Sequence, residues 1–461
     1  MTKKTALQQL QEKILVKKEI KPVSKEATAF CEDYKEFLSE NKTEREVISW
    51  AVQQAQKAGY KDLRETTSVQ KGGTYYAVNS EKNFALITFS DLEEIHAIGS
   101  HADSPCLHLK PYPLAENNKL ALLKTHYYGG IKKYQYLNIP LSLRGVAYTQ
   151  EGKRVDFSIG DKPEDPVLSI PDLLPHLSRD QMVKEAKKLV EGEQLNALIA
   201  STPVDDETIS NKAKLAIAKH LYEEYGLIEE DLISAELLLV PAGKARDLGL
   251  DKSMISAYGQ DDRVCVYTSI QAHLQAKKSP VTQITLLYDK EEIGSYGKTG
   301  AQNHFFTEII EELIDKTSSK KRVSHVYKNT KVLSADVTAA IDPNFSDVHD
   351  STNANYLGCG VSLEKFGGAG GKYSTNDADA EYMRALTNLF NKNNVQWQTG
   401  ELGKIDLGGG GTIAMYLAKW GADVVDMGPA VLAMHAPHEI THKNDVHNAY
   451  LAYKAFYENK L

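Results

Sequence analysis

Two adjacent glutamates stand at the end of a short apolar run, in the stretch Tyr288-Asp289-Lys290-Glu291-Glu292-Ile293-Gly294-Ser295. The run before them, Ile284-Thr285-Leu286-Leu287, is rich in strand formers. The pair therefore falls where a buried strand ends, the usual place for chemistry in an open α/β sheet. Neighbouring residues near a strand end point in different directions. One carboxylate can bind a metal while the next faces a reacting water. Taken alone, the pair reads first as a solvated loop, so its meaning rests on partners elsewhere in the chain.

Four further positions supply such partners. His101-Ala102-Asp103 follows the strand-like stretch 95–99, and residues two apart on an extended chain share a face. Asp103 can thus hold one ring nitrogen of His101 while the other meets a metal. Asp261-Asp262 precedes a helical pattern, as a cap with a favourable dipole charge or as a carboxylate shared by two metals. Asp336 follows Leu333-Ser334-Ala335, as a turn acid or a ligand. His435 lies in an apolar stretch after the Gly428-Pro429 turn, as a satisfied half-buried histidine or a ligand. Each position is modest alone. Together they offer His, Asp, Glu, Asp and His with a spare Glu, an oxygen and nitrogen set that suits a pair of divalent ions, zinc first and cobalt or manganese after it. Two metals about 3.5–4 Å apart are a recurring device of hydrolases.

The elements that must position these groups are legible in outline. The chain has 461 residues, too many for one simple core. A net charge of −8, spread along the sequence, leaves no footprint for nucleic acid or an anionic membrane. No apolar run approaches the roughly 20 residues of a membrane span, and the N-terminus lacks the apolar core of a secretory signal. Cys31, Cys106, Cys265 and Cys359 are far apart and form no C-x-x-C pair, which fits a reducing cytoplasm and leaves thiolates out of the ligand set.

Helices are expected over the first sixty residues. Their apolar stripes are Leu7, Leu10, Ile14 and Leu15, then Ala27, Phe30, Cys31, Tyr34, Phe37 and Leu38. Thr43 with Glu46 reads as a capping box, and Gly59 as a stop. Strands are expected at 75–78, 84–89, 95–99, 283–288, 331–335 and 423–427, and helices near 262–276, 377–392, 411–420 and 442–458. This alternation predicts an α/β fold with a mixed, mostly parallel sheet sandwiched by helices. Residues 109–240 differ in character, with short strands at 120–128, 137–148 and 155–159 and one helix at about 209–225. They read as an inserted β-rich dimerisation or lid domain, with 1–108 and 241–461 forming the catalytic domain.

The segments Gly99-Ser100-His101-Ala102-Asp103-Ser104-Pro105, Asp261-Asp262, Tyr288 to Ser295, Ser334-Ala335-Asp336 and Leu432-Ala433-Met434-His435 run through most of the chain. Their order and spacing closely resemble the aspartyl aminopeptidase and vacuolar aminopeptidase I family of dinuclear zinc metallopeptidases. The resemblance implies that His101, Asp261 and Asp336 hold one zinc and that Asp261, Glu292 and His435 hold the other. It makes Glu291 the general base, Asp103 the partner of His101, and the Asp261–Asp262 peptide cis. It further implies peptide substrates and a homo-oligomer, typically dimers assembled into a tetrahedral dodecamer. His176, in Ile170-Pro171-Asp172-Leu173-Leu174-Pro175-His176-Leu177, resembles a histidine that reaches a neighbouring subunit's site. Tyr373 resembles a substrate-contacting tyrosine. Two departures bear on specificity. Where acid-specific members carry a histidine, this chain has Ala339, and where they carry a lysine it has Leu363 or Glu364. A glutamate would repel an acidic substrate, so a neutral or broad N-terminal preference is expected. The competing readings are a deacylase or carboxypeptidase with the same metal pair, and a metal-stabilised shell without turnover.

Overall fold

A reciprocal capping box starts the helix Glu44–Lys57. The Thr43 hydroxyl accepts the Glu46 amide, and the Glu46 carboxylate accepts the amides of Thr43 and Lys42. The computed structural model describes residues 5, 7, 10, 18–277 and 280–461. Of the first expected stripe, Ile14 and Leu15 lie outside these residues. Of the second, Ala27, Cys31, Tyr34, Phe37 and Leu38 are buried on Lys25–Glu40, and Phe30 is half-buried against the same core.

These helices cover one face of a nine-stranded sheet. Its order is Lys61–Asp62, Thr74–Asn79, Asn83–Thr88, Thr282–Tyr288, Ile95–His101, Thr330–Ser334, Asp423–Gly428, Val361–Glu364 and Trp397–Gln398. The central strands, from Thr282–Tyr288 to Asp423–Gly428, pair in parallel. Antiparallel neighbours flank them. Every residue of Ile95–His101 and of Thr282–Tyr288 is buried, as a strand covered on both faces requires. One core lies against Lys25–Glu40, Gln260–Gln275, Ala380–Lys392 and Lys443–Glu458. The other lies against Phe305–Lys316, Val323–Lys328 and Ala414–Ala418. The helix expected at 411–420 is limited to Ala414–Ala418. A glycine run with Gly409 at φ +108° cannot begin it, and the Thr412 hydroxyl is committed to Asp426.

A second, six-stranded sheet is antiparallel throughout. Its order is Arg154–Ile159, Leu141–Tyr148, Glu236–Pro241, Cys106–Asn117, Leu120–Tyr128 and Asn196–Ala200. It carries its own apolar core, and the helix Lys212–Tyr225 packs against it. Its first strand begins three residues before the expected boundary at 109. The strand expected from residue 137 starts at Leu141, because Asn138 is left-handed (φ +57°) and Pro140 has no amide to pair. A buried ionic knot ties this sheet to the helices. Lys42 Nζ donates to Asp161 Oδ1 at 2.5 Å and to the carbonyls of Pro241 and Gly243 at 2.9 and 2.8 Å. Arg144 joins Asp161 to Glu46. Burial opposes ionisation of Asp161, but the Lys42 charge outweighs it and holds the carboxyl below its usual range.

His273 pins the helix Gln260–Gln275 to the sheet. Its Nε2 lies 3.1 Å from the Thr88 hydroxyl and its Nδ1 2.8 Å from the Thr285 hydroxyl. Burial pushes its pKa down to about 3. Between that value and its ordinary pKa near 6.5 the unfolded chain binds a proton that the folded chain does not, so stability falls as pH drops through this window. We expect the slope of unfolding free energy against pH, taken from urea titrations of metal-free protein at about pH 4 to 6, to exceed that of His273→Gln by about 1.4 kcal/mol per pH unit. Equal slopes would mean that His273 is not held neutral.

Candidate metal centre

The parallel strands end on one side of the sheet, and their carboxyl ends deliver the candidate ligands together. Ile95–His101 closes on His101 itself. Beside it, Thr282–Tyr288 is followed by Lys290 in the left-handed region (φ +66°) and by one tight turn, Glu291–Ile293. Asp336 comes two residues after Thr330–Ser334. Asp261 sits in the first turn of Gln260–Gln275 with non-helical backbone, and the Asp261–Asp262 peptide is cis. His435, also left-handed (φ +66°), lies in the loop before Glu439–His442.

Asp261 is the meeting point. His101 Nε2 lies 3.2 Å from its Oδ1, and His435 Nε2 lies 3.1 Å from its Oδ2. Asp336 Oδ1 is 3.8 Å from His101 Nε2, and Glu292 Oε2 is 3.4 Å from His435 Nε2. Donor atoms of His101, Asp261 and Glu292 lie within 4.8 Å of one another, as do those of His101, Asp262 and Asp336. Asp261 Oδ1, Asp262 Oδ1 and Glu292 Oε1 are buried and carry no hydrogen bond among the described residues. Burial works against the charged forms of both imidazoles, yet their carboxylate partners win. His101 is raised well above its ordinary pKa, and His435 is raised to about 10. The site thus draws positive charge, and its donors are imidazole nitrogens and carboxylate oxygens. Both features fit zinc.

A layer behind the donors fixes them. His101 Nδ1 lies 3.0 Å from the Asp103 carbonyl and 3.3 Å from its Oδ1. Asp103 also accepts the amides of Glu291 and Glu292 at 3.2 Å each, and the Tyr128 hydroxyl at 2.8 Å. Glu439 was not among the expected site residues. Its Oε2 accepts the Asp261 amide at 2.9 Å and its Oε1 the His435 amide at 2.7 Å. Only its spacing of four residues after His435 could have pointed to it. Asp262, read as an alternative ligand position with Asp261, accepts the His101 amide at 3.3 Å.

The donors open on a cavity of about 690 Å³. Glycine runs close one wall. A Cβ on Gly409 would meet the Gly368 carbonyl at 2.0 Å, so the two runs approach as only glycine permits. His101, Asp261, Glu291, Glu292, Asp336 and His435 line the cavity, and Asp103 lies behind His101. His176 and Tyr373 do not line it. His176 lies on the exposed turn Pro175–Leu177, and Tyr373 is 74% exposed beside the cavity-lining Ser374. Burial lifts Glu291 to about 8; His101 opposes the shift and the neighbouring carboxylates add to it.

The sequence profile of the aminopeptidase I zinc metalloprotease (M18) family matches residues 37–457. The chain belongs to the M18 aminopeptidases. Members of this family are zinc-dependent exopeptidases. The probable M18 family aminopeptidase 1 of Borreliella afzelii is 48% identical to this M18 chain over 438 residues, 93% of this chain and 95% of the relative. The crystal structure of the M18 aminopeptidase from Thermotoga maritima superposes with a TM-score of 0.93 at 42% identity, covering 96% of this chain and all of that one. The mApe1 dodecamer of S. cerevisiae shares the fold at 23% identity, with a TM-score of 0.73 over 94% of this chain and 96% of that one.

Glu439→Gln leaves a single acceptor for the two amides and sets its NH2 group against the other. We expect zinc affinity, measured by competition with a chelator, to fall about 10- to 100-fold, the usual cost of losing an outer partner of a ligand. Unchanged affinity would show that the amide contacts do not position Asp261 and His435.

Proposed function

We propose that this M18 chain removes the N-terminal residue of peptides at a two-metal centre. The observation that carries this reading is Asp261, one carboxylate with an imidazole nitrogen 3.2 Å from one oxygen and 3.1 Å from the other. His101, Asp261 and Asp336 would hold one ion, and Asp261, Glu292 and His435 the second. Bound zinc, or cobalt or manganese on the same donors, supplies Lewis acidity that lowers the pKa of a water and polarises the scissile carbonyl. Glu291 takes the proton of the attacking water and passes it to the departing amine. Asp103 holds His101 at Nδ1 and leaves Nε2 for the ligand role. The carboxylates around the centre receive the free amino terminus, which restricts cleavage to the chain end. Glu364 also lines the cavity, so a strictly acidic first residue is disfavoured.

The same reading gives residues 1–108 and 241–461 the catalytic role and 109–240 a role in dimerisation, with dimers assembling into a tetrahedral dodecamer. Its support is the apolar surface around His176. Leu173, Leu174 and Leu177 are 51%, 50% and 68% exposed there, and a second copy would cover them while carrying His176 toward the neighbouring site. Tyr373 would contact substrate from the cavity rim. The four cysteines are free and buried, as a cytoplasmic location favours, and no helix among the described residues is long and apolar enough to cross a membrane.

Glu291→Gln is expected to retain both metals, by elemental analysis, and to lose at least about 100-fold in kcat/KM on aminoacyl-naphthylamides, the scale of general-base catalysis. N-acetylated versions of the same substrates are expected to resist the wild-type enzyme. Normal turnover by the variant would remove Glu291 from the mechanism, and cleavage of acetylated substrates would remove the requirement for a free amino terminus.

A further inference from the structure

Two acids line the cavity without belonging to the metal set. Glu364 ends Val361–Glu364 and Asp426 lies in Asp423–Gly428, and the register of this antiparallel pair sets the two residues directly opposite each other. Opposed residues share a face, and like charges in that position destabilise a sheet. Both are nine-tenths buried or more, at 9% and 7% exposure. Both hydrogen bonds to Glu364 fall on Oε1, from the Thr338 hydroxyl at 2.5 Å and from Asn355 Nδ2 at 2.9 Å. Its Oε2 has no hydrogen-bond partner among the described residues. Asp426 Oδ1 accepts the Thr412 hydroxyl at 2.6 Å. Thus the pair is held in place by neutral groups, and buried carboxyls held that way either keep a proton or take a cation.

No lysine or arginine lines the cavity among the described residues, and the imidazoles of His101 and His435 face Asp261 rather than this pair. Its carboxylates are Asp261, Glu291, Glu292, Asp336, Glu364 and Asp426. Two divalent ions balance the charge of the first four and leave the last two. That balance rests on the two-metal reading above. Burial comes first in holding Glu364 above the usual carboxylate range, and the Asp426 charge adds to it against the Thr338 bond.

We propose that Glu364 and Asp426 form the subsite for the side chain of the N-terminal residue and that this subsite takes a cation, lysine or arginine. The strand order separates this role from binding of the α-amino group. The strands of Asp426 and Glu364 lie two and three places from that of His101, roughly 10 and 14 Å at sheet spacing. An α-ammonium is one bond from the carbon that carries the scissile carbonyl, so it stays beside the metal donors. A lysine or arginine head group is several bonds further out and spans the gap, with Met415 and Met434 in the lining for its methylene stem.

The test compares zinc-loaded wild type, Glu364→Gln and Asp426→Asn on Lys-, Arg-, Leu- and Asp-naphthylamides, with calorimetric binding of free L-lysine and L-leucine to the same proteins. Wild type is expected to favour Lys and Arg over Leu and to reject Asp. Each variant is expected to lower the Lys-to-Leu ratio of kcat/KM, and the ratio of their binding constants, by about tenfold or more, the loss of one charge-assisted hydrogen bond. A wild-type preference for Leu, or an equal loss on every substrate in both variants, overturns the subsite. If no unblocked substrate is cleaved at all, the hydrolytic reading fails, and the lysine-to-leucine binding ratio still decides the subsite.

Discussion

A buried carboxylate with an imidazole on each oxygen keeps its charge only where the surrounding structure holds every partner in place. Asp261 is such a group, and the architecture around it answers that demand. Its amide is fixed by Glu439, which in the same stroke fixes the amide of His435. Gln260, next in sequence, donates to the carbonyls of Glu439 and Ile255 and receives the Thr441 and Tyr34 hydroxyls. The start of one helix, the strand Glu439–His442 and the helix Lys25–Glu40 are thereby welded behind a single side chain. Removing any one partner leaves a polar group buried without a mate, which costs about 1–3 kcal/mol each time.

The antiparallel sheet is bound to this centre at short range. The strand Ile95–His101 hands over to Cys106–Asn117 within a few residues, so the second sheet grows out of the ligand-bearing end of the first. It returns contacts to the centre as well. Tyr128, at the end of Leu120–Tyr128, donates to Asp103, and the Gly130 carbonyl lies 2.9 Å from His435 Nδ1. Each candidate donor histidine therefore depends on the strand Leu120–Tyr128 or the two residues after it, directly for His435 and through Asp103 for His101. The Lys42–Asp161–Arg144–Glu46 knot ties the second sheet to the start of the helix Glu44–Lys57, which packs on the first.

The types of the donors were readable from the chain because strand ends are marked by apolar runs, and runs such as 283–288 and 331–335 match the observed strands to within a residue. Cavity membership of His101, Glu291, Glu292 and Asp336 follows from that marking, whereas Asp261 stands at a helix start and His435 in a loop, and neither position is marked by a strand end. Glu439 was invisible for a physical reason. It acts through backbone amides, and an amide contact leaves no mark on the identity of the residue contacted. The opposition of Glu364 to Asp426 was equally hidden, since it depends on the register of two strands more than fifty residues apart. The sheet was read as mixed and mostly parallel, as observed, but which strands run antiparallel was not legible, because a strand buried on both faces has the same apolar pattern in either direction.

Asp103 shows how the paired glutamates come to point in different directions. Its two oxygens take the consecutive amides of Glu291 and Glu292, and that clamp sets the direction of the tight turn after Lys290. The two side chains then diverge. Glu292 reaches His435, while Glu291 remains on the cavity wall without a hydrogen-bonded side-chain partner among the described residues. A carboxylate that accepts a hydrogen bond from such a partner is the weaker base for it, whereas one held only through its own backbone keeps both oxygens open to a proton. The same aspartate faces His101 Nδ1, so the orientation of the candidate ligand and the direction of the proposed base are set by one group. Any displacement of Asp103 therefore disturbs both together.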